Sequence, residues 1–201
     1  MRFARFISVV GHPLFMPLYA MTLIFEFNPY IDLHVPNSIQ AIVLILLSVF
    51  TILLPLITAI FLQKLGVVKS IFMKTAEERK WPFLLSVLWY YLGFEVLTNI
   101  ALPISLYLLI IGAITVILIA YFITLRWKIS VHMLGIGGLV GSMIGLSQRF
   151  QFDHFYLILT LFFVAGLIGY ARLKTKSHNY QQVYAGFTLG LIVEWVAVSL
   201  L

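Results

Sequence analysis

The chain has 201 residues, of which 62% are hydrophobic and 10% charged, with a formal charge of +6 and no cysteine. A soluble domain carries roughly 25% charged residues to cover its surface. Most of this surface must therefore face lipid, and soluble, disordered, collagen-like and disulfide-stapled classes are excluded, as are thiolate catalysis and cysteine-ligated metal sites.

Crossing about 30 Å of hydrocarbon takes roughly 20 apolar residues in a helix, and cuts at the polar and proline-bearing breaks give seven segments. The first, Ile7 to Phe27, is interrupted by Gly11-His12-Pro13 and Pro17, so a kinked, re-entrant or interfacial form is open to it. Those prolines, and the lack of a small-x-small cleavage site, argue against a signal peptide. After a polar stretch with Pro29 and Pro36 comes Ile39 to Leu62, then the longest and most charged connection, 63–80. Trp81 to Ile100, Pro103 to Leu125, Ile129 to Leu146, Phe155 to Ala171 and Tyr180 to Leu201 complete the set. The expected fold is all-α, a polytopic transmembrane bundle of six or seven helices forming one integral membrane domain over residues 1–201.

With seven alternating spans, 12 of the 13 Lys and Arg residues fall on the face where odd-numbered spans begin, and Arg149 alone falls opposite. Positive-inside bias then puts the basic face in the cytoplasm of a bacterial-type inner (plasma) membrane. Removing Lys74, Arg79, Lys128 and Arg172, which could serve chemistry, leaves eight against one; a first segment that fails to span leaves six against three. The charge does not imply nucleic acid, because no basic stripe interleaved with aromatics sits on a separable polar domain.

Polar residues kept near hydrocarbon are costly and mark function by default. Three clusters lie at odd-numbered helix starts on the basic face: Lys74 to Pro82, Lys128-Ile-Ser130-Val-His132, and Arg172 to Gln182. Several cations, two imidazoles and helix N-termini with free N–H groups suit a phosphate, and a histidine of unperturbed pKa near ~6.5 can act as nucleophile or acid. The same cations also read as ordinary positive-inside loop residues, with the histidines interfacial.

Arg172-x5-His178-x3-Gln182 before the last span resembles the third motif of the type 2 phosphatidic acid phosphatase superfamily, Ser-Arg-x5-His-x3-Asp. Ser130-Val-His132 resembles its Pro-Ser-Gly-His motif, and Lys74 with Arg79 and Pro82 its Lys-x6-Arg-Pro motif, so the likeness covers about 74–190. The resemblance implies a membrane lipid phosphate phosphatase in which His178 attacks phosphorus to form a phosphohistidine. His132 would protonate the leaving alkoxide, and Arg172, Arg79, Lys74 and Ser130 would hold the phosphoryl oxygens, with no cofactor and no metal. Its partners would be the bilayer and an amphiphilic phosphate-bearing substrate. The departures are Ala171 for Ser, Val131 for Gly, Ile129 for Pro, Trp81 in the Arg position so that Arg79 serves from two residues earlier, and Gln182 for the Asp that orients the nucleophile. Gln accepts from an imidazole but adds no charge. The alternative is a non-catalytic binder or transporter of anionic lipid using the same rim.

Other polar residues have weaker claims. Glu77-Glu78-Arg79 is similar to the Glu-Glu-x3-Arg motif of intramembrane prenyl-protein endopeptidases, but the arginine follows at once. Glu95 and Asn99, four apart, and Glu194 could form a polar path or pair helices. His12 could reach the basic rim or belong to a kink; His34 and His154 read as far-face interfacial residues, and no histidine set has metal-ligand spacing. Gly135, Gly138, Gly141 and Gly145, with Gly186-x3-Gly190, predict close packing of the fifth and seventh spans.

Overall fold

The computed structural model describes residues 1–70, 73, 75 and 77–199, where all regular structure is helical. Six helices are long and apolar enough to cross a membrane: Arg2–Phe27, Asn37–Lys64, Ile104–Thr124, Val131–Phe150, Phe155–Lys174 and Tyr180–Ser199. The chain is an integral membrane protein of the all-α class.

The first span is kinked at the Gly-His-Pro break. Helix α1 (Arg2–Val10) ends at Gly11, a 3-10 turn covers Pro13–Phe15, and α2 (Met16–Phe27) resumes the path. Pro13 lacks the N–H that would continue α1, and His12 Nδ1 accepts from Leu14 N–H at 3.4 Å, so the imidazole caps the turn. A methyl on Gly11 would lie 2.7 Å from Ile168 Cδ1, so the missing side chain lets this corner press against α9 (Phe155–Lys174).

After α3 (Pro29–His34), capped by Asn28, the second span divides into α4 (Asn37–Leu47), a π turn over Ser48–Leu53 and α5 (Leu54–Lys64). Pro55 has no N–H to return to the Thr51 carbonyl, and its ring crowds that oxygen, so the turn before it widens. The helix α6 (Lys80–Leu97) and α7 (Ile104–Thr124) then form a pair joined by a short connection. With Tyr90, Tyr91 and Glu95, α6 is the less apolar of the two and falls outside the six spans, although it packs on α7 and α5 as a further long helix. It ends three residues before the expected Ile100. There Asn99 Nδ2 donates to the Glu95 and Val96 carbonyls at 3.1 and 3.3 Å, so the Glu95–Asn99 pair forms a local helix end.

The centre of the bundle is α8 (Val131–Phe150) against α10 (Tyr180–Ser199), the most extensive pairing between helices in the chain. A Cβ at Gly137, Gly141 or Gly190 would strike the carbonyl oxygens of Phe187, Leu191 and Leu134 respectively, and one at Gly186 would lie 2.6 Å from Ser130 O. The expected glycine face is thus real but differently composed. Gly137 belongs to it, whereas Gly135 turns toward Met16 on α2. Gly190→Val should therefore drive α8 and α10 apart, at a cost of about 1–3 kcal/mol or more for an overpacked contact. Thermal unfolding in detergent checks this, with Gly166→Ala as the neutral control, because nothing lies within 4 Å of a Cβ there.

Glu194 sits inside this core with 5% of its surface exposed. Gly112 and Gly138 make room for it: a methyl at Gly112 would be 2.5 Å from its Oε2, which has no hydrogen-bond partner.

Candidate phosphate site

The segments that precede α6, α8 and α10 meet at one end of the bundle. Arg79 ends a 3-10 turn over Glu77–Arg79 and is buried; its Nε donates to Met73 O and its Nη1 to Ile129 O, both at 3.1 Å. Lys128 Nζ donates to Ser177 O at 3.2 Å, and Ser130 N–H to Gln182 O at 3.3 Å. The cations thus bind carbonyls of neighbouring segments and tie the three helix starts together. A cavity of about 510 Å3 opens here, lined by Lys128, Lys176, Ser177, His178, Asn179 and Gln182 among others.

His178 lies at the inner side of that cavity with 7% of its surface exposed. Its Nδ1 is 2.9 Å from Gln182 Oε1, and the same oxygen accepts from Asn179 N–H at 3.3 Å. A backbone donor identifies the Gln182 atom as the carbonyl oxygen, so Nδ1 must carry the ring proton and Nε2 the free lone pair. Asn179 Oδ1 in return accepts from Gln182 N–H at 2.9 Å, a reciprocal cap that fixes the first turn of α10 and holds Gln182 in place. Burial, and then the charges of Arg79, Arg172 and Lys128, lower the pKa of His178 to about 4, against the opposing effect of the Gln182 hydrogen bond. The imidazole is consequently neutral near pH 7. The unfolded chain takes up a proton near pH ~6.5 that the folded site refuses until about 4, so this residue's contribution to stability is lost as pH falls through that interval.

Among the described residues of the site, cations outnumber carboxylates, and this excess positive charge is the dominant electrostatic feature. Arg79 is lowered to about 10 by burial and then by Arg172, and Lys128 is lowered by burial, then by Arg79 and Arg172. The acidic residue that acts on Arg79 is Glu78, whose carboxylate already accepts from the Lys69 and Thr75 N–H groups at 3.1 and 3.2 Å. Ser130 Oγ and Arg172 Nε are buried without hydrogen-bond partners. Ser130 is also the residue before α8 yet makes no side-chain cap. Buried orphans of this kind are rare, and phosphate oxygens would satisfy both.

Arg172, in the last turn of α9, is the hub: its charge acts on Arg79, Lys128, His178, His132 and His12. His132, in the first turn of α8, has Nε2 3.0 Å from Ser8 O on α1, and its ring lies 5.3 Å from that of His12 in an edge-to-face arrangement. A carbonyl can only accept, so Nε2 carries a proton there and Nδ1 is the atom left for a substrate.

Of the residues expected from sequence, Arg79, Ser130, His132, Arg172, His178 and Gln182 come to one end of the bundle, and Lys74 lies outside the described residues. Arg79 points inward, while Trp81 is 56% exposed. Lys128, expected among the cations that could serve chemistry, joins the group, and so does His12, for which the sequence left open either the basic rim or a kink; the structure has it do both. His154, expected at the far interface, is buried there, with Nε2 2.8 Å from Phe27 O. Among the described residues, no three His, Asp or Glu side chains are placed to hold a metal ion. The chain matches no protein-family model, no curated protein and no solved structure.

Proposed function

We propose that this protein hydrolyses a phosphomonoester or diphosphate of an amphiphilic substrate reached from the bilayer, through a phosphohistidine on His178. The observation that carries this reading is the orientation of His178: Nδ1 is tied to Gln182, and the unprotonated Nε2 lies within the influence of Arg79, Lys128 and Arg172. In the first step the Nε2 lone pair attacks phosphorus and the bond to the lipid oxygen breaks. The leaving alkoxide takes a proton from Nδ1 of a His132 that enters the step protonated on both nitrogens, with Nε2–H kept on Ser8 O, giving the alcohol and a neutral His132. In the second step water attacks phosphorus, the P–N bond breaks, and the water's proton returns to His132. The cations and the Ser130 hydroxyl neutralise the phosphoryl oxygens throughout. Phosphate release from a panel of lipid phosphates by the purified protein, with His178→Ala and His132→Ala alongside, tests the reaction; no release from any lipid, or release unchanged by both substitutions, overturns it.

The resemblance of 74–190 to the type 2 phosphatidic acid phosphatase motifs supports the same chemistry, and Gln182 is where it is weakest. An aspartate would stabilise the positive ring of the phosphohistidine, whereas Gln offers a dipole alone. Gln182→Asp should accelerate hydrolysis and, because the carboxylate raises the pKa of His178, move the acid limb of the pH–rate profile upward from about 4. The second reading, a binder or transporter of anionic lipid, rests on this same neutral Gln182; it predicts phosphate-dependent binding without turnover and no gain from Gln182→Asp.

The charge of the basic end supports a cytoplasmic position for it. Since the chain lacks cysteine, Lys176→Cys supplies a single thiol on that rim. A membrane-impermeant reagent should leave it unlabelled in intact cells and label it after lysis; ready labelling in intact cells reverses the orientation.

A further inference from the structure

A second cavity lies between the kinked first span and helices α8 and α9, with a volume of about 360 Å3 and almost wholly apolar walls. Its position follows from helix geometry. Ile136 is one turn beyond His132 on α8, Ile168 is one turn before Arg172 on α9, and Gly11 adjoins His12 at the corner between α1 and α2. Each element thus sets an apolar wall beside a polar site residue or one turn, about 5.4 Å, deeper in the membrane. From Ile168 the crevice follows α9 down to Leu161, a helical distance of about 10 Å.

The few polar groups along it are already engaged. Thr22 Oγ1 donates to Leu18 O at 2.9 Å, and the Tyr19 hydroxyl donates to Val10 O at 3.2 Å. The walls therefore present no free hydroxyl donor and are otherwise apolar, so they select an apolar occupant. We propose that the crevice receives one hydrocarbon chain of the same lipid molecule whose phosphate lies among Arg79, Lys128, Arg172 and His178. This rests on the phosphate-site reading above and adds a chain subsite whose walls come from α8 and α9 together with α1 and α2, the last two lying outside the motif-bearing 74–190. Recognition is bipartite: cations hold the head and the crevice holds one tail, so a water-soluble phosphate ester loses the contacts made by the tail.

The test uses the full chain in phosphatidylcholine nanodiscs and needs no turnover. The probe is a single-chain phosphatidic acid with a photoactivatable diazirine in mid-chain, compared with the matching monoacylglycerol, which lacks phosphate; labelled residues are mapped by mass spectrometry. The phosphate-bearing probe should label crevice residues such as Tyr19 and Leu161 several-fold more than the monoacylglycerol does. Thr22→Trp fills the crevice from an exposed position and should suppress that labelling several-fold, while Thr22→Ala leaves it intact. Equal labelling by the two probes, label spread evenly over the outer faces of α4, α5 and α7, or labelling unaffected by Thr22→Trp overturns the subsite, as do chain-to-chain crosslinks through the crevice. Hydrolysis with scattered labelling sinks the subsite alone; phosphate-dependent crevice labelling without hydrolysis keeps it and sinks the catalytic reading.

Discussion

Replacing His178 with alanine is expected to lower phosphate release from a lipid phosphate by roughly 10³-fold or more, because the reaction proposed above runs through the His178 Nε2 lone pair. The side chain is held by one hydrogen bond to Gln182, and Gln182 keeps its bonds to the Asn179 N–H and to the Asn179 side-chain oxygen when the imidazole is removed. The first turn of α10 should therefore survive the substitution. An unchanged melting temperature in detergent, alongside lost turnover, separates a chemical effect from unfolding. Retention of more than a tenth of the activity would remove His178 from the reaction.

The second large effect belongs to Arg172. Its guanidinium acts on two further cations and three histidines, and its Nε is buried without a protein partner. Loss of one preorganised donor to a transition-state oxyanion typically costs about 10²–10³-fold, and Arg172→Leu should fall in that range. It has a second readout. Removing the charge relieves one of the influences that hold His178 down, so the residual activity should lose its acid limb at a higher pH than the wild-type value near 4. Arg172→Lys keeps a charge but not the planar fork and should recover the pH profile better than the rate. A rate drop with an unmoved acid limb would show that Arg172 is remote from the nucleophile.

Much of the fold was legible in composition and hydropathy, because lipid imposes a simple demand: backbone groups must pair within helices of sufficient length. The ends were less so. Asn99 folds back on its own helix, so α6 stops at Leu97 and not at Ile100. The π turn before Pro55 follows from a missing N–H, yet a widened turn leaves no mark on periodicity over so short a stretch. The glycine pattern announced that α8 and α10 would touch but not which glycines face which helix, since that depends on the rotation of α8, seen in Gly137 against Phe187 and Gly135 against Met16.

The site divides in the same way. Arg79 was readable as a site cation, because the resemblance calls for an arginine just before Pro82 and Trp81 occupies that position, leaving Arg79 two residues earlier. His12 was readable as a residue able to reach the rim, but its pairing with His132 was not, because the two are 120 residues apart and meet only when α1 turns at Gly11 and offers Ser8 O to His132. Contacts carried by backbone carbonyls, such as Ile129 O to Arg79 and Ser177 O to Lys128, have no residue signature at all.

The most direct test of the account is to capture its covalent intermediate. Protein mixed with a lipid phosphate labelled in the phosphoryl group, quenched in alkali within one turnover and digested, should yield an acid-labile phosphoryl group on the peptide containing His178. Gln182→Asp should change its amount and His178→Ala should abolish it. Hydrolysis that proceeds with no phosphoryl group ever found on His178, or with one found on another residue, would contradict the account.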